Sequence, residues 1–334
     1  MDKRIAGYDF IRSFAILFVF LDHALSGQTA DLLKTASFFT RSVSPGITMS
    51  LLGFISAALL SSRDYDFGAF LIKRLSRIYI SLILCLTIVL CAHALLGKKV
   101  ITQHALLHLM GLSAFFDLFA VQNNATIGFG LWFITAINLM YLLFPLLQKL
   151  FRHPRGLVHL CGFILICIAL NFTMYGMMSV WNVIISFALG IYFGIHGYTK
   201  RLIDPKTNML IPTLGCIALL FVATLATAHI VPYSMRGLLL PFYPIAFIPV
   251  LFGVSRKLPV KVTAVSSFFA GLSYEFYILH FYFIGEGFKD FFPAATPFYG
   301  QITLAFVVTF VLAYGISKIA CWLRKTADDY LLAR

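Results

Sequence analysis

Apolar stretches of about 20 residues recur along nearly the whole chain, and short loops that hold most of the lysines and arginines separate them. A helix of about 20 apolar residues crosses the roughly 30 Å hydrocarbon core of a bilayer. We therefore predict an all-α integral membrane protein with ten transmembrane helices. The predicted spans cover residues 8–26, 44–61, 78–97, 131–149, 157–175, 180–197, 208–229, 237–253, 267–284 and 300–322.

One further apolar segment, residues 104–120, is shorter and is interrupted by His104, His108 and Asp117. Because lysines and arginines collect in cytoplasmic loops, their distribution tests the number of spans. Ten spans without this segment place 20 lysines and arginines on one side and 6 on the other, whereas an eleventh span gives 17 against 9. We therefore predict ten spans, both termini in the cytoplasm, and a re-entrant or interfacial segment at 104–120.

The composition favours a chain that lies almost wholly in the membrane. Of its 334 residues, 60% are hydrophobic and only 12% are charged, whereas a soluble domain needs far more charge at its surface. Residues 1–334 are thus predicted to form a single transmembrane domain with no appended soluble domain. The first apolar stretch lacks a signal-peptide cleavage site, and we interpret it as a retained helix.

The net charge of +13 comes from basic residues scattered among the loops. This distribution is typical of membrane orientation, and it argues against a nucleic-acid-binding face. The six cysteines fall inside apolar stretches without a C-x-x-C pair. We predict that they are small buried hydrophobic residues and not redox or metal sites.

Ionisable side chains in the first predicted span give the strongest functional signal, because such groups are costly in hydrocarbon unless they are paired, hydrated or useful. Arg12 and His23 are 11 residues apart, which places them on one helical face about 16 Å apart. Asp9 precedes Arg12 by one turn and can hold its guanidinium. Alone, Arg12 is equally well explained as an anchor and His23 as a packing residue. Together on one stripe, they favour a functional channel or cleft.

A second group of polar residues opens the third span. Arg74 and Arg77 have i,i+3 spacing, so both guanidiniums lie on one helical face at the cytoplasmic side. Two guanidiniums on one face suit multidentate phosphate binding. The alternative is that they only anchor the helix in its orientation, as most such arginines do.

A third group lies in the ninth span. Ser273, Tyr277 and His280 have spacings of four and three, so they share a face. The direction of this span places His280 at a depth comparable with His23. Trp132 begins the fourth span at a similar level, although aromatic residues are common at membrane interfaces.

His104 and His108 have the i,i+4 spacing of two metal ligands. No carboxylate or third ligand has the spacing of a known metal motif, so we predict no metal site and an interfacial location for both histidines.

These groups of residues resemble the membrane-bound acyltransferase-3 family. The resemblance rests on Arg12, followed after ten residues by His23, and on Arg74-Leu-Ser-Arg77. It also rests on two looser segments, LWFITAINLMYLLFPLL (131–147) and LSYEFYILH (272–280). The landmarks occur in the family's order and extend over essentially the whole chain.

The sequence departs from the family pattern at two places. Ile137 and Asn138 stand where members often carry a carboxylate, and Leu52-Gly53-Phe54 stands where Ser-Gly-Phe is common. Both departures concern the subtype of substrate more than the family.

The resemblance implies a membrane O-acyltransferase, most often an O-acetyltransferase. Such enzymes transfer an acyl group from cytoplasmic acyl-CoA to a sugar hydroxyl of a surface polysaccharide, its lipid-linked precursor or another carbohydrate. Acetyl-CoA would be the donor substrate, and no bound cofactor is implied. The implied partners are acyl-CoA, the carbohydrate acceptor, the lipid bilayer and, as candidates, glycan-assembly proteins. The implied location is the bacterial inner membrane.

The resemblance also implies a role for each group of residues. Arg74 and Arg77, helped by Arg12, would hold the phosphates of CoA. His23 would either take the proton of the attacking hydroxyl or accept the acyl group itself, and the sequence leaves both open. The acceptor or the thioester oxygen would be held by a further set, with Asp9 and Tyr141 in support: Trp132, Ser273, Tyr277 and His280.

The main alternative function is secondary transport of an anionic or sugar-like solute, because intramembrane arginine and histidine also mark transport pathways. Transporters commonly contain inverted repeats with broken helices, and neither is evident in the sequence. A non-catalytic scaffold is less consistent with polar side chains at matched depths.

Overall fold

A computed structural model of the chain describes residues 6–26, 35–38, 40, 43, 46–61, 63, 65–98, 100, 102–119, 121–173, 178–206, 208–228, 230, 238–284, 289, 291–292 and 296–332. Every regular element in these residues is helical. The α-helices are α1 (Ala6–Leu25), α2 (Gly46–Leu60), α3 (Phe67–Leu95), α4 (Gln103–Leu109), α5 (Ala114–Leu118), α6 (Trp132–Arg152), α7 (Gly156–Thr173), α8 (Met178–Ile195), α9 (Tyr198–Leu202), α10 (Leu210–Thr227), α11 (Tyr243–Lys257), α12 (Val260–His280) and α13 (Phe298–Leu332).

Each predicted span overlaps one α-helix in the part of the chain that the structure describes. Helices α3, α6, α7, α12 and α13 are long and apolar enough to cross a membrane. Helix α1 has 20 residues, but Asp9, Arg12 and Asp22 make it less apolar. The all-helical membrane architecture is therefore confirmed, while the number of crossings and the side of the termini stay predictions.

Two helices extend well beyond the predicted spans. Helix α3 begins at Phe67, ahead of the predicted start at residue 78, and its first turn is capped by Asp66, whose Oδ2 accepts a hydrogen bond from the Ala69 N–H at 2.8 Å. Helix α13 continues to Leu332. Hydropathy detects only the apolar part of a helix, so polar turns that continue it were not predicted.

The chain divides into two compact units. Unit 1 comprises Met1–Asp64 and Leu139–Gly271. Within it, Gly190 and Gly194 of α8 lie against the backbone of α2, where a Cβ on Gly190 would overlap the carbonyl oxygen of Phe54. This small-x-x-x-small pair lets two helices pack closely where burial of apolar side chains gives no advantage over lipid.

Helix α1 is held within unit 1 by side-chain contacts with two other helices. The Tyr8 ring packs edge-on against Phe252 of α11, with ring centroids 4.9 Å apart. The Ser13 hydroxyl donates to the Ser266 carbonyl of α12 at 2.7 Å. The orientation of α1, and hence of its polar stripe, is therefore set by specific contacts.

Unit 2 comprises Tyr65–Asn138 and Leu272–Arg334. It contains α3, α4, α5 and α13, together with the first residues of α6 and the last residues of α12. The ambiguous segment 104–120 forms the two short helices α4 and α5, so it is not one continuous helix of spanning length.

The turn between α4 and α5 is supported by side chains of two long helices. The Tyr79 hydroxyl of α3 donates to the Met110 carbonyl at 2.9 Å, and the Thr135 hydroxyl of α6 donates to the Gly111 carbonyl at 2.9 Å. Asn138 Nδ2 donates to the Tyr79 hydroxyl oxygen at 3.0 Å. Gly111 has φ +68°, a conformation that favours glycine. Irregular backbone at membrane depth needs such internal partners.

The cysteines do not all lie inside the protein. Cys85, Cys167 and Cys216 are buried as predicted, but Cys91, Cys161 and Cys321 are exposed. The prediction of burial is wrong for these three because a helix at the edge of a bundle keeps its outer face apolar for lipid. Hydropathy alone does not distinguish that face from the core.

Candidate active site

Arg12 and His23 both lie on α1, which is continuous between them. Their spacing of 11 residues therefore places them on one face of the helix. Arg12 Nη1 lies 3.7 Å from Asp9 Oδ1, and the Asp9 side chain is buried while that of Arg12 is about one-third exposed. The buried carboxylate thus holds the guanidinium on α1. His23 lies half-buried in the last turn of the same helix.

Arg74 and Arg77 lie on α3, inside the helix and not at its start, because α3 begins at Phe67. The Arg74 guanidinium carbon is 5.9 Å from the centre of the Phe70 ring, a cation–π contact that orients it. Arg77 is exposed. Their i,i+3 spacing on a regular helix places both side chains on one face, and two guanidiniums on one face suit a phosphate group.

Tyr277 and His280 lie at the end of α12, and both are buried. The Tyr277 hydroxyl donates to the Gly130 carbonyl at 2.6 Å. His280 Nδ1 lies 2.6 Å from the Tyr277 carbonyl oxygen, which can only accept, so Nδ1 carries the hydrogen of this bond. Ser273 lies one turn earlier and is half-buried.

The polar residues of α1 thus belong to unit 1, and those of α3 and the end of α12 belong to unit 2. The sequence profile of the acyltransferase-3 family, described as an acyltransferase domain, matches residues 5–318. The match includes all three groups of residues.

The chain belongs to the acyltransferase-3 family. The resemblance seen in the motifs is therefore confirmed over nearly the whole chain. Searches of curated proteins and of solved structures gave no significant match. As a member of the acyltransferase-3 family with membrane-type helices, the protein is an integral membrane acyltransferase.

The acyltransferase-3 segment that begins α6 carries two more predicted residues. Trp132 is the first residue of α6 and is half-buried, and its ring lies edge-on to Phe133 at 5.8 Å between centroids. Tyr141 lies further along α6, is also half-buried, and belongs to unit 1. Trp132 and Tyr277 both belong to unit 2. The Tyr277 ring packs edge-on against Phe133, with ring centroids 5.8 Å apart.

A buried carboxylate of this acyltransferase was not selected from the sequence. Glu275 of α12 is buried, and its Oε1 accepts a hydrogen bond from the Ser81 hydroxyl of α3 at 2.6 Å. The sequence did contain an indication of it. Glu275 is the one acidic residue in the predicted span 267–284, and acidic residues in membrane spans are rare and commonly functional.

His104 and His108 hold the loop that precedes α6. His104 Nδ1 accepts a hydrogen bond from the Asn124 N–H at 3.1 Å. His108 Nε2 lies 3.0 Å from Asn123 Oδ1 and its Nδ1 lies 2.9 Å from the Ser113 hydroxyl oxygen. Asn123 Oδ1 is an acceptor, so His108 carries its hydrogen on Nε2. The position of both histidines is explained by these bonds.

Proposed function

We propose that this acyltransferase moves an acyl group, chiefly acetyl, from cytoplasmic acyl-CoA to a carbohydrate hydroxyl. The acceptor class is a surface polysaccharide or its lipid-linked precursor, and the location is a bacterial inner membrane. The observation that supports the proposal is the polar stripe of α1, where Arg12 and His23 share one continuous helix in a chain of this family. An acyltransferase needs a basic group at the reacting atoms, and imidazole supplies one near neutral pH.

His23 acts on the attacking hydroxyl in this proposal. Its imidazole takes the hydroxyl proton as the oxygen attacks the thioester carbonyl, and CoA leaves as the thiol after that proton is returned to its sulfur. Covalent transfer through an acyl-imidazole is the second route: a ring nitrogen attacks the thioester carbonyl, the C–S bond breaks, and CoA leaves as the thiol with the proton of the imidazole. The sugar hydroxyl then attacks the acyl-imidazole, forms the ester and returns its proton to the released imidazole. Both routes require the imidazole at position 23.

Arg74 and Arg77 bind the phosphates of the donor in this proposal. Guanidinium binds phosphate through two parallel hydrogen bonds, whereas the ammonium of lysine is a point charge. Binding of this kind is made equally in the ground state and the transition state. Its loss therefore raises the acyl-CoA concentration needed for half-maximal rate and changes the maximal rate little.

The experiment measures CoA release from acetyl-CoA by purified protein in detergent, where no gradient exists. Hydrolysis or transfer under these conditions supports an acyltransferase, and its absence together with solute uptake in vesicles would favour the transporter. In the same assay, Arg74→Lys and Arg77→Lys should retain partial donor affinity, and the alanine variants should raise the half-saturating concentration by roughly tenfold or more.

Arg201 offers a matched control for the two arginines. It is also a basic residue beside an aromatic ring, with its guanidinium carbon 5.5 Å from the centre of the Tyr198 ring. If arginines act only as orientation signals, Arg201→Ala and Arg74→Ala should behave alike. An unchanged donor dependence in the Arg74→Ala/Arg77→Ala double variant would overturn the phosphate assignment.

A further inference from the structure

The hydrogen bond between Ser81 and Glu275 is the starting observation. The donor and acceptor oxygens are 2.6 Å apart, Ser81 is fully buried and Glu275 is 4% exposed. A separation of 2.5–2.7 Å is typical of a hydroxyl that donates to a carboxylate, a bond about twice as strong as a neutral one. A second bond lies one turn earlier, where the Tyr274 hydroxyl donates to the Ile78 carbonyl at 3.3 Å. Adjacent residues of α12 thus bind adjacent turns of α3.

The bond to Ser81 lies on the same stripe of α3 as the two arginines. Arg74, Arg77 and Ser81 occupy positions i, i+3 and i+7, so their side chains leave the helix within about 60° of one another. Ser81 follows Arg77 by about 6 Å along the helix axis. Glu275 therefore contacts α3 on the arginine face and one turn deeper along the helix.

A rotation of α3 about its axis would change the direction of both arginine side chains. Helical side chains reach about 5–6 Å from the axis, so a 20° rotation of α3 would move their ends by about 2 Å. That movement exceeds the tolerance of a hydrogen bond. It would separate Ser81 from Glu275, and it would turn Arg74 and Arg77 away together.

We propose that Glu275, acting through Ser81 and beside the Tyr274–Ile78 bond, is a positioning residue that fixes the rotation of α3 on its arginine face and so directs Arg74 and Arg77 toward the phosphates of the donor. The proposal rests on the phosphate-binding role given to the arginines above. Glu275 itself does not touch the donor in this account. Its effect reaches the reaction through the affinity for acyl-CoA.

The test removes the hydroxyl and keeps the carboxylate. Ser81→Ala should raise the half-saturating acyl-CoA concentration by roughly tenfold, the factor expected when one hydrogen bond between a guanidinium and a phosphate is lost, with the maximal rate within about twofold. Ser81→Thr keeps the hydroxyl and should restore donor affinity. Glu275→Gln keeps an acceptor oxygen for a neutral bond, so its donor affinity should lie between those of the wild type and Ser81→Ala.

A control separates this role from general destabilisation. Asn171 Nδ2 donates to Asn182 Oδ1 at 2.8 Å in unit 1, which is also a buried bond between two helices. Asn171→Ala should leave the half-saturating concentration unchanged. If Ser81→Ala does not insert stably, Ser81→Cys retains a weak donor of similar size and should give a smaller rise of the same kind.

Measuring the arginine variants in the same assay distinguishes a failure of the phosphate-binding role from a failure of the positioning role. If Arg74→Ala and Arg77→Ala do not change the donor dependence, the phosphate-binding role itself is wrong. If they do change it, while Ser81→Ala changes only the yield or the maximal rate, Glu275 is a packing residue and the positioning role is overturned.

Discussion

Replacing Gly190 by alanine should destabilise unit 1 through the contact between α8 and α2. A Cβ at this position would overlap the Phe54 carbonyl oxygen and lie 2.8 Å from the Ala57 Cβ. Backbone cannot rotate away as a flexible side chain can, so the two helices must separate by about 1 Å. The tight contact that holds helices together in a membrane would be lost along this stretch.

The expected cost is about 1–3 kcal/mol, the usual range for inserting a methyl group into a packed contact. For a chain of this size that corresponds to a fall of roughly 1–4 °C in the apparent Tm. The measurement is the temperature at which detergent-solubilised protein loses its monodisperse peak in size-exclusion chromatography.

Gly162 of α7 provides the matched control, because a Cβ there meets no atom within 4 Å. Gly162→Ala should keep the Tm or raise it slightly, since alanine favours helix over glycine. Equal Tm values for Gly190→Ala and Gly162→Ala would refute the close packing of α8 on α2.

Two further predictions concern the termini and the loop before α6. A reporter active only in the cytoplasm, fused after Arg334, should be active, whereas activity of a reporter that works only outside the cytoplasm would contradict the ten-span topology. Burial lowers the pKa of His108 from its ordinary value of 6.5; the charge of His104 adds to this and the Asn123 hydrogen bond opposes it. Below about pH 6.5, His108 therefore binds more protons in the unfolded chain than in the folded chain. The free energy of unfolding should then fall on acidification by at most about 1.4 kcal/mol per pH unit. His108→Gln should lose less stability than the wild type between pH 7.5 and 5.5; an equal loss would show that other groups cause it.

The fold was largely predictable because hydropathy and charge act along the sequence itself. Helices α6 and α7 lie within a few residues of their predicted spans, since Lys149, Arg152 and Arg155 separate one apolar stretch from the next. The start of α3 was not predicted, because Lys73, Arg74 and Arg77 separate its apolar first turns from the long apolar stretch that follows. The split of 104–120 into α4 and α5 could be anticipated only as an irregularity, since Tyr79 and Thr135, which support the turn, come from distant segments.

The candidate site was predictable only where its residues lie on one helix. Spacing alone placed Arg12 beside Asp9 and on the face of His23, and it paired Arg74 with Arg77. The bond from Ser81 to Glu275 joins residues that are far apart in the sequence, and no periodicity reports such a partner.

The central claim is that His23 carries out acyl transfer, and one comparison tests it most directly. Wild type, His23→Ala and His159→Ala are purified at equal levels and their transfer of labelled acetyl from acetyl-CoA is measured without a gradient. His159 is the control because its Nδ1 lies 2.9 Å from the Leu150 carbonyl, where it has a local structural role. His23→Ala should lose activity by on the order of 100-fold or more while remaining folded, and His159→Ala should stay near wild type. Normal transfer by folded His23→Ala would contradict the account and leave His23 as a packing residue.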